Sequence, residues 1–175
     1  MHPGGPPQPL ITAEAIGRRN AELASDIVRV FGREFVMVVL LKGAFVFAAD
    51  LLRALGQAGA QPRVEFLQLS SYGTATESSG DIRRLSEMPT VAGERVLVVD
   101  DVLDTGRSLA YAAEALTRAG AKAVRLCVLL DKPARRVVDL AADHVGFTIP
   151  DRFVVGYGID CAERWRELRD VAAVD

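Results

Sequence analysis

Three apolar runs constrain the fold of this chain more than any other feature: FVMVVLL at 35–41, RVLVVD at 95–100 and AVRLCVLLD at 123–131. None keeps the polar–apolar alternation of a strand with one wet face. Runs of this kind belong to strands covered on both sides, the interior of a parallel sheet between helices. Segments with helical spacing separate them. AFVFAADLLRALGQAG follows the first run and should stop at Gly56 or Gly59, while RSLAYAAEALTRAG follows the second and closes at Gly120. Upstream, Thr12 is a good cap for a helix reaching about Phe31, with Ile16, Leu23, Ile27 and Val30 expected on its inner face. VEFLQLSS, from Val64, reads as one more strand. Strand and helix thus alternate, which predicts an α/β fold: an open, mainly parallel twisted sheet flanked by helices, with right-handed connections.

The flanks are less regular. Residues 1–10, MHPGGPPQPL, are rich in Pro and Gly and lack the basic start and apolar centre of a signal peptide. They are expected to be a mobile tail, leaving a single domain over 11–175, a length suited to one core. The polar stretch SYGTATESSGDIRR is either a long hairpin tip or a mobile loop. Beyond Lys132 the pattern shortens to HVGFTIP, FVVGYGI and the polar WRELRD, which predicts a small hood, mainly from about 143–175, folded over the sheet edge.

Composition narrows the function classes. A net charge of −2 carries no basic excess for nucleic acid. The longest apolar run ends at Lys42, far short of a bilayer span, so no membrane partner is expected. Cys127 and Cys161 are isolated and without metal spacing, which fits a reducing cytoplasm, and His2 and His144 are too scattered for a metal site.

Chemistry concentrates in VLVVDDVLDTGRSL at 96–109, where a buried strand gives way to a helix. Ligands of open parallel sheets collect at the carboxyl ends of the strands, and Lys42-Gly43, Asp100-Asp101 and Asp131-Lys132 all fall there. Amides at the start of a helix bind phosphate, Gly106 lets the backbone approach, and the Thr105 and Ser108 hydroxyls can donate. A simpler reading stands beside this one: Asp104 or Thr105 caps the helix and Gly106 makes the turn. There is no G-x-x-x-x-G-K-[ST] and no G-x-G-x-x-G. A phosphatase would need a carboxylate aimed at the phosphorus, but here amides occupy the natural phosphate position. Three acids beside an anion cradle make sense for a divided ligand. A 5′-phosphate would lie on the amides of 104–108, with sugar hydroxyls donating to Asp100 and Asp101. The same carboxylates would stabilise positive charge growing on a ribose ring that loses its anomeric substituent.

The run VVDDVLDTG resembles the signature of the type I phosphoribosyltransferases: two acids, two apolar residues, then Asp-Thr/Ser-Gly. LLKGAFVFAADL, SSYGT, LLDKPARR and GFTIPDRFVVGYGID extend the resemblance from about Phe35 to Arg166, in family order, towards the bacterial hypoxanthine-guanine branch. It implies purine salvage: phosphoribosyl transfer from 5-phosphoribosyl-1-pyrophosphate to a 6-oxopurine, with Mg2+. It also implies roles. Asp104 is the general acid/base at purine N7, Asp100 and Asp101 bind ribose, and Asp104, Thr105, Gly106, Arg107 and Ser108 form the 5′-phosphate loop. Lys132 donates to the 6-oxo group, Phe153 stacks on the base, and Val154 and Asp160 meet its edge. Lys42, Gly43 and Arg166 bind pyrophosphate, in a loop where the family often has a cis peptide. Asp160, with Asp100 and Asp101, is the implied metal ligand set, and Ser71 and Tyr72 belong to a closing lid. The family suggests homodimers or homotetramers. Asp100 replaces a commoner Glu, Arg107 a Lys or Asn, and Cys161 an aromatic.

Two other readings compete. A phosphoribosyl pyrophosphate-sensing regulator of the same fold would not require Lys132 and Phe153. An enzyme for adenine or uracil would not favour Lys132, an obligate donor suited to an acceptor such as a 6-oxo group.

Overall fold

The computed structural model describes residues 7–74 and 77–174, with only the backbone described for 71–74 and 77–81. Nine strands and three α-helices are found among the described residues: β1 (Gln8–Ile11), α1 (Ala13–Phe31), β2 (Val36–Leu41), α2 (Phe45–Gln57), β3 (Arg63–Thr74), β4 (Glu77–Arg84), β5 (Arg95–Leu103), α3 (Arg107–Arg118), β6 (Ala123–Asp131), β7 (His144–Thr148), β8 (Val154–Val155) and β9 (Val171–Ala173). Six strands form one sheet in the order β4-β3-β2-β5-β6-β7, and β1-β9-β8 form a second. In the large sheet every pairing is parallel except β3 with β4.

The apolar runs are buried for the reason their composition predicts. Successive side chains of a strand point to opposite faces. Met37 and Val39 of β2, Leu97 and Val99 of β5, and Cys127 and Leu129 of β6 join one core, beneath α1 and α2. Val36, Val38 and Leu40, then Val96 and Val98, then Leu126 and Val128, join a second core covered by α3. With both faces covered, the central positions of these strands are apolar, and polar residues fall towards the strand ends.

Topology then fixes where a ligand can sit. The chain leaves β2 through α2 to reach β3 on one side, and later enters β5 on the other side of β2 before crossing through α3 to β6. The winding reverses between β2 and β5, and a crevice opens beyond their carboxyl ends, as at any such switch point.

Several boundaries differ from expectation. Thr12 caps α1 as predicted, its side chain accepting from the Ala15 amide. Val30, however, is 53% exposed, and Phe31 takes the inward position one helical turn after Ile27. Residues 8–10, expected in the tail, form most of β1, which pairs with β9, so the hood is closed by the chain's own N-terminal strand. Residues 1–6 of the predicted tail lie outside the described residues. HVGFTIP, expected in the hood, instead supplies β7, which pairs in parallel with β6 and is the edge of the main sheet. Its short length and interior glycine masked that role. The described part of the polar stretch from Ser71 to Arg84 is the outer part of the antiparallel β3–β4 hairpin, paired from Leu69 opposite Arg84 to Thr74 opposite Glu77 with a register shift between Ser71 and Gly73.

Candidate active site

Two loops meet at the switch point. Beyond β2 the Leu41–Lys42 peptide is cis, and Lys42-Gly43 leads into α2. Beside it, β5 carries Asp100 and Asp101 towards its carboxyl end. A Cβ on Gly43 would lie 2.0 Å from Oδ2 of Asp101, so only glycine lets that carboxylate rest against the loop. Asp100 accepts from the Asp101 amide at 3.0 Å. Burial, and after it the neighbouring Asp101 charge, push the Asp100 carboxyl well above the usual carboxylate range. Such a pair is under-solvated and mutually repelling, and hydroxyl donors or a cation would relieve both penalties.

Next to the acids, β5 turns into α3. The capping residue is Gly106, in the left-handed region at φ 85°, and no side chain caps the helix. Neither Asp104 nor Thr105 therefore serves as the cap. The Arg107 amide reaches only the Thr105 hydroxyl, at 3.5 Å. The first amides of a helix have no partner within it, so 105–108 present donors to the space in front of them. That space is a cavity of about 220 Å3 whose walls include Leu69, Asp100, Asp101, Thr105, Gly106 and Ser108. The loop is held from outside. Arg136 donates from Nε to the Asp104 carbonyl at 3.0 Å and pairs with Asp131, and the Val137 amide donates to the Thr105 carbonyl at 3.1 Å.

A second cavity, about 440 Å3, opens on the other side of Asp104, between Lys132, Arg135, Phe153, Val154 and Asp160. Lys132 is buried, 7% exposed, and its ammonium donates to the Arg152 carbonyl at 2.7 Å. This single bond leaves further N–H donors on the same nitrogen. Phe153 is 54% exposed, unlike a core aromatic, and offers its ring to a flat ligand. Val154 is buried in β8. Both cavities are lined by Asp104 and Val102, so Asp104 stands where an anion cradle and a flat apolar slot meet. Its Oδ1 accepts from Arg135 Nε at 3.0 Å.

Cations gather on the hood side. Arg166 donates to the Gly158 carbonyl at 2.8 Å and pairs with Asp160 at 2.8 Å and Glu163 at 3.1 Å. Glu163 also pairs with Lys42 at 2.9 Å, which links the loop after β2 to the hood. The second oxygen of Asp160 accepts from the Glu163 amide at 2.8 Å. A further cavity, about 690 Å3, lies elsewhere, between α1, α2 and the hood, and of the expected site residues only Arg166 reaches it.

Of the expected residues, Asp100, Asp101, Asp104, Thr105, Gly106 and Ser108 line the first cavity and Asp104, Lys132, Phe153, Val154 and Asp160 the second; Gly43 lies against Asp101, Lys42 and Arg166 are joined through Glu163, and Arg107 lines neither cavity. Ser71 and Tyr72 belong to β3 by their backbone, and their side chains lie outside the described residues. Arg135, Arg136 and Glu163 are additions. PARR and AERWR showed them as charged residues, but only the fold brings Arg135 to Asp104 and Glu163 to Lys42. For a metal, no group of three or more His, Cys, Asp or Glu is found among the described residues. The Asp100–Asp101 pair nonetheless fits Mg2+, which takes hard oxygen donors from one or two carboxylates and completes its shell with substrate phosphates and water.

Residues 10–162 match the profile of the phosphoribosyl transferase domain family. The chain is 44% identical to the hypoxanthine-guanine phosphoribosyltransferase of Aquifex aeolicus, over 95% of this chain and 93% of that protein. A crystal structure of a hypoxanthine-guanine phosphoribosyltransferase from Bacillus anthracis, with HEPES in its active site, superposes with a TM-score of 0.86 at 42% identity, covering 95% of each chain. The hypoxanthine phosphoribosyltransferase of Trypanosoma cruzi, in complex with the product IMP, gives 0.89 at 36% identity over 96% of this chain and 91% of that one. Near-complete coverage at such identity, on the fold and crevice described above, means that this chain belongs to the type I phosphoribosyltransferases, among their hypoxanthine-guanine members.

Proposed function

We propose that this chain transfers the 5-phosphoribosyl group of 5-phosphoribosyl-1-pyrophosphate to hypoxanthine or guanine, releasing pyrophosphate and IMP or GMP, as a purine salvage enzyme. The observation that carries this reading is Asp104, shared by the amide-lined cavity and the slot between Lys132 and Phe153. In it, the 5′-phosphate rests on the amides and hydroxyls of 104–108. Asp100 and Asp101 accept from the ribose hydroxyls. Lys132 donates to the 6-oxo group, Phe153 stacks on the base, and the backbone of Val154 and Asp160 meets its edge.

The C1–oxygen bond to pyrophosphate breaks with its electron pair leaving on oxygen, and the purine N9 lone pair forms the new bond to C1. Positive charge on the ring is stabilised by the Asp100–Asp101 pair. Asp104 takes the proton that the purine gives up at N7, and the Arg135 guanidinium keeps that carboxylate presented as an acceptor. Lys42, the Gly43 amide and Arg166 receive the charge that collects on pyrophosphate. Asp100 and Asp101 on the ribose side and Asp160 on the pyrophosphate side would hold Mg2+, which would supply further positive charge there. The β3–β4 hairpin, which carries Ser71 and Tyr72, starts beside Leu69 at the cavity wall, and its role in this reading is to close over the reacting centre and exclude water.

A sensor that only recognised phosphoribosyl pyrophosphate would have no use for the slot around buried Lys132, which favours catalysis. A cytoplasmic setting suits two free cysteines, and no described helix is long and apolar enough to cross a membrane. We assign a homodimer or homotetramer on family grounds. The test supplies phosphoribosyl pyrophosphate and Mg2+ with hypoxanthine, guanine, xanthine, adenine or uracil in turn, and follows nucleotide formation by chromatography. Product with hypoxanthine or guanine is expected. Product only with adenine or uracil, or none at all, would refute the reading.

A further inference from the structure

The turn Gly156-Tyr157-Gly158 joins the hood to the rest of the site in an unusual way. All three residues have positive φ, 93°, 52° and 97°. Glycine adopts this region freely, but an aromatic residue does so only when its surroundings hold it there. For Tyr157 the restraints are its amide, which donates to the Leu168 carbonyl at 2.8 Å, and its hydroxyl. The hydroxyl donates to Oδ2 of Asp50, on α2, at 2.6 Å, and accepts from Nδ2 of Asn20, on α1, at 3.1 Å. Burial, and then the Asp50 hydrogen bond, push its ionisation far above the ordinary phenol range, so the proton stays on Tyr157 and the direction of the chain is set. Asn20 must then turn its amide nitrogen to Tyr157. This leaves Oδ1 as a buried acceptor without a protein partner among the described residues.

The other side of the turn faces the site. A Cβ on Gly158 would lie 2.6 Å from the Gly43 carbonyl, so the turn rests directly on the loop after β2. The same Gly158 accepts Arg166 Nη1 through its carbonyl and donates its amide to the Arg166 carbonyl at 3.0 Å. Moving the turn therefore moves Arg166 relative to Lys42 and Gly43. Lys132 and Phe153 are placed by other contacts, through Leu103, Arg152 and Val174.

We propose that Tyr157 is a positioning residue, whose hydroxyl, locked between Asp50 and Asn20, sets the hood turn on the pyrophosphate loop and so aligns Arg166 with Lys42. The proposal rests on the function proposed above. It predicts that losing the hydroxyl harms pyrophosphate-bearing ligands and spares the purine.

Wild-type activity is measured first, since a wild-type enzyme that makes no nucleotide sinks the proposed function itself. With activity established, KM for phosphoribosyl pyrophosphate and for hypoxanthine, and Kd for pyrophosphate, are compared in wild type, Tyr157→Phe, Asp50→Ala and Asp50→Asn. Tyr157→Phe should raise KM for phosphoribosyl pyrophosphate and Kd for pyrophosphate about tenfold, the scale of one hydrogen bond to a charged group, with KM for hypoxanthine within about twofold. Asp50→Ala should match it, a double variant combining Tyr157→Phe with Asp50→Ala should be no worse, and Asp50→Asn, which keeps an acceptor, should recover most of the loss. Should Tyr157→Phe fail to fold, the Asp50 pair makes the same comparison. Equal losses for both substrates, unchanged pyrophosphate binding, or no recovery in Asp50→Asn would each overturn the proposal.

Discussion

Replacing Lys132 by methionine separates the two halves of the site. The substitution keeps the length of the side chain and removes its charge and donors. Lys132 is buried, and its ammonium spends one donor on the Arg152 carbonyl at 2.7 Å. A second donor is available to a 6-oxo group in the slot it shares with Phe153 and Asp104. Hydrogen bonds to charged groups are worth about 1.5–3 kcal/mol, roughly tenfold to a hundredfold in an equilibrium constant. KM for hypoxanthine and guanine should therefore rise by about that factor. Phosphoribosyl pyrophosphate is held instead by 104–108, Lys42 and Arg166, none of which bonds to the Lys132 ammonium among the described residues, so its KM should stay within about twofold. Stability should change little, because the lost bond to Arg152 is offset by relief of a buried charge; a shift of a few degrees in Tm corresponds to about 1 kcal/mol in a chain of this size. Steady-state kinetics with each substrate varied in turn, alongside thermal melts, gives all three numbers. A parallel rise in both KM values would make Lys132 structural, and an unchanged hypoxanthine KM would remove it from base recognition.

Three further outcomes are expected. Asp104→Asn should lower turnover by about 10² or more, and near-normal turnover would take Asp104 out of the mechanism. Gly106→Ala forces a side chain into φ 85°, with its Cβ 2.7 Å from Val138 and 3.0 Å from Arg136. A cost of about 1–2 kcal/mol from the backbone alone should lower Tm by several degrees, and IMP binding should weaken about tenfold or more. His144 is the third. Burial, its largest influence, lowers its pKa, and its Nε2 has no partner. Below the ordinary histidine range, near 6.5, the unfolded chain binds a proton that the folded one resists, so stability falls as pH drops from about 6.5 through the lowered value. Tm measured between about pH 7.5 and pH 5 should decline less steeply in His144→Leu than in the parent, and equal slopes would refute the assignment.

Some of this was legible residue by residue. The unbroken apolar runs at 35–41, 95–100 and 123–131 made a two-faced sheet predictable, because a strand's neighbours above and below are written in its own alternate positions. Thr12 announced a helix that it does cap. The loop 104–108 was readable as a phosphate cradle, but its local sequence left helix capping by Asp104 or Thr105 as good an account. Only the folded chain decides between them, by drawing the Asp104 side chain away to Arg135 and leaving Gly106 as the cap. β7 was misplaced because five residues with a central glycine look like a fragment until β6 is beside them. β1 reads as tail in the sequence because its strand character comes from pairing with β9, more than 150 residues away.

The sequence by itself determined the alternation of elements, the double burial of the central strands and the chemistry carried by the acids and amides after β5. These are encoded within one turn of helix or one strand, where spacing along the chain is spacing in space. Tertiary structure alone decided that Glu163 joins Lys42 to Arg166, that Arg135 faces Asp104, and that Tyr157 reaches both Asp50 and Asn20. Most of these contacts join residues from about 30 to 140 positions apart. Their distances follow from how helices and sheet pack, a property of the whole fold that no short stretch of the chain contains.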